Sequence, residues 1–216
     1  MKTIRLLFLN LIALFIVCSC TIKQTINYHE DMSGSNEIII DYGDFIEQMG
    51  SLMGDSTDLD KDIDMKESLG GLSESFKNME GVTNLITLQE QKEGLVGFLF
   101  DFKDTESLNE AMSGVLGGEG SNKKNAPKSY LQKKNKLILD FDNQDLGKMK
   151  KSIGDESMMM LIGSFDYEFT VNLPFTIKSI DNKIYTVSAD RKSISATVNL
   201  EDYISGNESL STTVKW

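Results

Sequence analysis

The sequence has little cysteine, histidine and proline, and each scarcity argues against a class of protein. It holds two cysteines, one histidine and two prolines among 216 residues. The scarcity of histidine argues against Ser-His-Asp and Cys-His catalysis and against histidine-rich zinc sites. Both cysteines lie within the first 20 residues, so the rest of the chain has no disulfide and no CxxC motif. Two prolines argue against a Pro-rich, disordered stalk.

The sequence also lacks a long hydrophobic run, although it begins with a short one. Leu6 to Val17 is apolar apart from Asn10, and Lys2 and Arg5 precede it. This run is shorter than the roughly 20 apolar residues that a membrane-spanning helix needs. A positively charged start, a brief apolar core and small residues at its end are typical of a secretory signal.

The residues that end this signal predict a lipid anchor. Val17-Cys18-Ser19-Cys20 resembles the lipobox of bacterial lipoproteins, in which an aliphatic residue and two small residues precede the modified cysteine. The resemblance implies a diacylglyceryl thioether on Cys20, cleavage before it and acylation of the new amino terminus. Residues 1–19 are then the signal peptide, and residues 20–216 form one periplasmic or surface domain. An ordinary cleaved signal peptide and an uncleaved short anchor are the alternatives.

Acidic residues outnumber basic ones, which restricts the partners of the chain. The formal net charge is −11, and residues 1–19 contain two basic residues and no acidic one, so the mature chain is more acidic still. A phosphate backbone would be repelled, which argues against nucleic-acid binding. An anionic leaflet would be repelled too, so lipid rather than charge must hold the protein to the inner or outer membrane.

Apolar residues recur at strand or helix spacing along the rest of the chain. The predicted strands form hairpins or alternate between apolar and polar positions, and they cover residues 21–42 as one hairpin, 82–91, 95–102, 130–133, 136–141, 165–173, 184–189, 193–199 and 209–216. The predicted helices cover residues 44–53, 65–79, 104–116 and 143–153, the last extending as far as 162, with a helical turn at 201–205. This order predicts an α+β domain with a mostly antiparallel sheet and helices packed on one face.

The order of features resembles bacterial lipoproteins with an LppM-like domain. The resemblance is weak and covers most of residues 20–216. It is carried by Cys20, the Ser33-Gly34 turn, a Met-rich helix, Phe98-Leu99-Phe100 before Leu108-Asn109, and Leu173-Pro174 followed by Ile177-Lys178. It implies a membrane-tethered α+β domain, with lipid or envelope-glycolipid binding proposed for some members, and it implies no catalytic residues.

Two acidic segments invite a metal-binding interpretation, and neither has the pattern of a strong site. Asp58, Asp60, Asp62 and Asp64 alternate, but an EF-hand loop beginning at Asp58 needs glycine at position 63 and glutamate at position 69. Isoleucine and leucine stand there, so we expect a solvated acidic loop, with weak calcium binding as the alternative. His29-Glu30-Asp31 is interpreted as a solvated turn. The sequence therefore predicts no metal site and no cofactor.

The remaining sequence signal is an abundance of methionine, with eleven in the chain. Methionine at helical spacing fills cores, and it also lines adaptable apolar binding surfaces. The first functional hypothesis is a non-catalytic, membrane-anchored lipoprotein that binds a lipid or another apolar ligand close to the membrane. The alternatives are an envelope accessory protein that docks a protein partner, and an unrecognised hydrolase that uses paired carboxylates.

Overall fold

A computed structural model describes residues 20–43, 76, 79–90, 94–117, 128–141 and 163–216. Within these ranges the chain is rich in strands and contains two short helices. The elements are β1 Cys20–Tyr28, β2 Gly34–Asp41, β3 Val82–Glu90, β4 Leu95–Phe102, α1 Thr105–Gly117, β5 Tyr130–Lys133, β6 Lys136–Leu139, β7 Phe165–Asn172, β8 Ser179–Ile180, β9 Thr186–Val187, β10 Ser193–Asn199, α2 Leu200–Ser205 and β11 Thr212–Lys215.

The larger of two sheets contains seven strands, in the order β3-β4-β2-β1-β7-β10-β9. Its neighbours are antiparallel except for β1 and β7, which run parallel with Gln24 beside Phe169. Alternate residues of each strand point to one face, and on that face the apolar residues of β1, β4, β7 and β10 are buried. We call this buried surface the inner face.

The predicted hairpin of residues 21–42 is present as β1 and β2, joined by a tight turn. Asp31 Oδ1 accepts hydrogen bonds from the Ser33 amide at 3.0 Å and from Ser33 Oγ at 2.6 Å. A Cβ atom at Gly34 would lie 1.9 Å from the carbonyl oxygen of Asn27, so only glycine permits this close pairing of the strands. The turn chemistry therefore fixes the register in which β2 returns along β1.

A second, four-stranded sheet in the order β5-β6-β11-β8 covers part of the inner face. The Phe141 ring stands edge-on to Tyr130 of β5 and to Phe169 of β7, with ring centroids 5.6 Å and 5.3 Å apart. Leu108, Ala111 and Met112 of α1 are buried in the same core. The two sheets and α1 thus share one hydrophobic core.

The prediction of a sheet-rich α+β fold is confirmed, but the prediction of helices packed on one face is overstated. In the described residues the small sheet also covers part of that face, because Leu137, Leu139 and Val214 are apolar and buried in the shared core. The predicted helices at 44–53, 65–79 and 143–162 lie outside the described residues, apart from Phe76 and Met79. So does the Asp58–Asp64 loop.

Candidate functional site

Cys20, the predicted lipidation residue, is the first residue of β1, the fourth strand of the seven-stranded sheet. It lies beside Phe165 of the parallel strand β7 and is only 1% exposed. Tyr42 and Val96 share a small apolar cluster with it, and Ile40 and Phe165 pack against that cluster. Ile22, Gln24 and Ile26 continue the inward face of the strand from Cys20. No linker therefore separates Cys20 from the folded body.

Several other strands start or stop at the same end of the sheet, which we call the Cys20 end. Thr21 pairs with Asp41, Asp41 with Leu95, and Asn199 with Asp166. Helix α2 also begins here, capped by the Asn199 side chain, and its first turn carries Glu201 and Asp202. The described part of the Cys20 end is thus acidic, with charges that favour neither an anionic membrane surface nor a nucleic acid.

A group of polar side chains lies in the core, and we call it the interior polar cluster: Gln24, Asn36, Tyr130, Tyr167 and Met112. Gln24 Nε2 donates to Asn36 Oδ1 at 2.8 Å and to Tyr130 Oη at 3.2 Å, while Tyr167 Oη donates to Gln24 Oε1. The Met112 sulfur lies 3.7 Å and 3.8 Å from the two amide nitrogens. Gln24 and Asn36 are 2% and 0% exposed, so these bonds replace hydration that burial removes.

Asn109 of α1 holds Tyr130 in place from the other side. Its amide nitrogen donates to the Tyr130 carbonyl oxygen at 2.6 Å, and its amide oxygen accepts from the Tyr130 backbone N–H at 2.9 Å. This two-point contact joins α1 to β5 and directs the Tyr130 ring towards β1. The cluster therefore connects both sheets and the helix through hydrogen bonds.

Burial keeps the tyrosines of this region protonated. It raises the pKa of Tyr28 and of Tyr167 well above the ordinary value. It also raises the pKa of Tyr130, against the opposing effect of the hydrogen bond from Gln24, and the pKa of Tyr185. A general base must be deprotonated at the working pH, and the raised pKa values of these phenols disfavour that state. The interior polar cluster is thus suited to holding the fold together rather than to proton transfer.

A groove of about 630 Å³ lies on the small sheet, lined by residues that include Asp140, Asp181 and Lys183. Burial raises the pKa of Asp181, but hydrogen bonds from the Thr213 backbone N–H and the Thr212 hydroxyl outweigh it, so the net shift is downward. The acid of a glycosidase pair needs a raised pKa. Asp181 has the opposite shift, so it does not fit the acid of such a pair.

The described residues also locate His29, the histidine of the predicted solvated turn. His29 is exposed at the β1–β2 turn, where its Nδ1 lies 3.2 Å from Ser33 Oγ. Asp31 is engaged by the same serine. Across the described ranges, no three His, Cys, Asp or Glu side chains are grouped closely enough to hold a metal ion. In the same ranges no helix is both long and apolar enough to cross a membrane.

Comparison with known proteins gave one structural match. No protein-family model matches the sequence, and no curated protein matches it. The NMR structure of the folded domain of LppM from Mycobacterium tuberculosis is similar, with 15% sequence identity and a TM-score of 0.42. The match covers 90% of this chain and 87% of that chain. The weak whole-chain resemblance predicted from the sequence is thereby confirmed.

Proposed function

We propose that this chain is a lipoprotein of the cell envelope, held to the inner or outer membrane by lipid on Cys20 and facing the periplasm or the cell surface. One observation carries the proposal: the cysteine of the lipobox-like segment 17–20 is also the first residue of β1. Signal cleavage before Cys20 would leave the whole strand intact. Tyr42 and Val96 are the apolar neighbours of this cysteine.

The charge of the Cys20 end supports lipid as the anchor. Asp41, Asp166, Glu201 and Asp202 lie at or near this end, which would face the bilayer if Cys20 is lipidated. Such a surface is not attracted to anionic lipid, so attachment must come from hydrocarbon buried in the bilayer. Each buried methylene contributes about 0.8 kcal/mol to the free energy of membrane binding. Several acyl chains on one residue meet that requirement.

We further propose a non-catalytic role, in which the domain binds a lipid or another apolar ligand beside the membrane. The supporting feature is the inner face of β4, where Phe98 and Phe100 lie under Phe76 with ring centroids 5.7 Å and 5.0 Å away. Met79 belongs to the same core. Methionine is flexible and fills irregular spaces, an adaptability that an acyl chain entering from the surface would require.

The anchor is tested by membrane fractionation of the full chain. Cys20→Ala should move the protein from the membrane to the soluble fraction, because no thiol remains at the modified position. Cys18→Ala is the matched control and should leave the protein in the membrane. Membrane retention of the Cys20→Ala protein would overturn the anchor.

The ligand is tested by native mass spectrometry of the full chain extracted from membranes. We expect a bound lipid in addition to any covalent modification, and we expect Phe98→Asp to lose it. Thr197→Asp adds the same charge on an exposed position of β10 and should retain the lipid. A parent protein that carries no lipid and recovers none from membrane extracts would overturn ligand binding without touching the anchor.

The protein-docking alternative has separate support in the exposed Ile86 side chain on β3, an edge strand of the large sheet.

A further inference from the structure

Three lysines lie side by side on the face of the small sheet that is turned away from the core, and we call them the lysine row. Lys133 of β5 pairs with Lys136 of β6, and Lys136 pairs with Lys215 of β11. Directly paired residues point to the same face, and their strands lie roughly 4.8 Å apart. The buried Leu137 and Val214, which follow and precede these lysines in sequence, point to the opposite face. Lys133 and Lys215 are exposed, and Lys136 is half-buried.

The lysine row has an energetic cost that no neighbouring acidic side chain offsets. Like charges that face each other directly across a sheet destabilise it. None of the three lysines forms an ion pair with another described residue. Asp181 follows the neighbouring strand β8, but its carboxylate accepts from the Thr212 hydroxyl at 2.7 Å and from the Thr213 backbone N–H at 2.6 Å. An external anion would supply the counter-charge that the row lacks.

Two more lysines extend this positive surface. Lys134 is exposed in the two-residue turn between Lys133 and Lys136. Lys178 is exposed as well, and its backbone N–H donates to the Lys215 carbonyl oxygen at 2.8 Å. The described chain therefore separates its charges, with lysines gathered here and acidic side chains at the Cys20 end.

The lysine row lies at a distance from Cys20. Strand β7 starts with Phe165 beside Cys20, and its eight residues reach Asn172 roughly 23 Å further on. Beyond Asn172 the chain leads to Ile177, whose backbone N–H bonds to the Arg191 carbonyl oxygen, and then directly to Lys178. With the Cys20 end held at a bilayer, the row would lie on the side away from that bilayer.

We propose that the lysine row binds a linear, phosphate-bearing polymer outside the bilayer, with an anionic group at each lysine. Lysine binds phosphate as a compact, hydrated point charge. Protein interfaces are instead depleted in lysine and enriched in arginine. The nearby Arg191 is already engaged, since its guanidinium donates to the Ile177 and Lys178 carbonyl oxygens at 2.7 Å and 3.1 Å. A phosphate polymer therefore fits this surface better than an acidic protein does.

The net charge of −11 is compatible with such a contact, because the charges are separated. At physiological ionic strength, exposed charges more than about 8 Å apart are largely screened from each other. The acidic residues of the Cys20 end lie beyond that distance, past the full length of β7. A flexible polymer can follow the row without approaching them, whereas a nucleic-acid duplex is broader than the row. The proposal does not depend on lipidation of Cys20.

Titration of the full chain with inorganic polyphosphate, in an extract made with an uncharged detergent, tests the proposal. Trp216, the only tryptophan, reports binding by its fluorescence, because its backbone pairs with Asn135 in the turn beside the row. The logarithm of the affinity should fall with the logarithm of the salt concentration with a slope of roughly −2. Three phosphate contacts at about −0.7 each give this value.

Two substitutions with the same charge change locate the site. Lys136→Glu removes the central contact and adds a repulsive charge, so it should weaken polyphosphate binding at least about tenfold and make the salt slope shallower. Lys23→Glu, on the outer face of the large sheet, is the control and should bind like the parent. Circular dichroism establishes that both variants are folded. A parent protein that does not bind polyphosphate, or equal weakening by the two substitutions, would overturn the proposal.

Two further probes distinguish the phosphate polymer from other anions. Poly-L-glutamate represents an acidic protein, and tighter binding to it than to polyphosphate would contradict the proposal. The Cys20→Ala protein, which lacks the modified thiol, is also mixed with phosphatidylglycerol vesicles. Tighter binding to these vesicles than to polyphosphate would assign the lysine row to a lipid surface and likewise overturn the proposal. Neither result would affect the anchor at Cys20, which membrane fractionation tests separately.

Discussion

The Gln24 side-chain amide donates a 2.8 Å hydrogen bond to Asn36 Oδ1 across the neighbouring strands β1 and β2, inside the hydrophobic core. The two residues are diagonal neighbours on the inner face, since Gln24 pairs with Ile38 and Asn36 pairs with Ile26, two rungs along the hairpin. A slip of β2 by one residue along β1 would turn Asn36 to the outer face and remove this hydrogen bond from the core. The amide pair therefore specifies the register of the central strands as well as stabilising it.

We expect Gln24→Ala to be one of the most destabilising polar substitutions in the described chain. It removes the donor to Asn36 and Tyr130 and the acceptor of Tyr167, and each buried group left unsatisfied costs about 1–3 kcal/mol. The predicted loss in the free energy of unfolding is at least about 3 kcal/mol, measured by urea denaturation. Thr25→Ala, whose side chain points to the outer face, should lose about 1 kcal/mol or less. Similar losses in the two variants would contradict a stabilising role for the cluster.

The buried tyrosines predict how the protein responds to alkali. Four of the six tyrosines have a pKa raised above 10.0 in the folded chain, and burial is the main cause in each. Folding thus favours the protonated phenols, so their contribution to stability is complete below pH 10 and falls as the pH rises above it. Tyrosinate absorbance should show these four ionising only as the chain unfolds, whereas all six titrate near pH 10 in denaturant. Reversible titration of all six near pH 10 in the folded protein would contradict the burial described.

The start of α1 predicts an effect of acid. Asp104 Oδ1 accepts from the Ser107 backbone N–H at 2.8 Å, and this hydrogen bond lowers the pKa of the carboxyl. The cap contributes fully to the free energy of unfolding above the pKa of Asp104 in the unfolded chain, about 3.9. This contribution is lost as the pH falls through the lower pKa of Asp104 in the folded chain. Asp104→Ala should lower the free energy of unfolding by about 1 kcal/mol at pH 7, and the difference from the parent should shrink in strong acid. Asp104→Asn keeps a neutral cap and should show no such pH dependence. Thermal unfolding of the three proteins across this pH range measures the effect, and a pH-independent difference for Asp104→Ala would contradict it.

Sequence reasoning located most strands, because a strand with one buried face alternates visibly between apolar and polar residues. Phe165, Tyr167, Phe169 and Val171 show this pattern, and the structure places them in β7. Strand pairing could not be predicted where it joins segments that lie far apart in the sequence. The parallel pairing of β1 with β7 joins segments more than a hundred residues apart and leaves no short-range pattern.

The buried amides show why polar core residues are hard to predict. Ile22 and Ile26 of β1 are apolar, and Gln24 between them points to the same face. The two-residue periodicity of the strand alone places Gln24 in the core. It does not predict that Tyr130 and Tyr167 are its hydrogen-bond partners, because these tyrosines come from distant strands. The strand predicted at 184–189 shortens to Thr186–Val187, and Ser179–Ile180 was not predicted because two residues show no periodicity.

The most direct test of the account is the mass of the amino-terminal peptide of the mature protein, isolated from membranes. We predict a peptide that begins at Cys20, with diacylglyceryl on its sulfur and an acyl group on its amine. A peptide that begins at Cys20 with an unmodified thiol, or one that still contains residues 1–19, would contradict the lipid anchor and the membrane placement inferred from it.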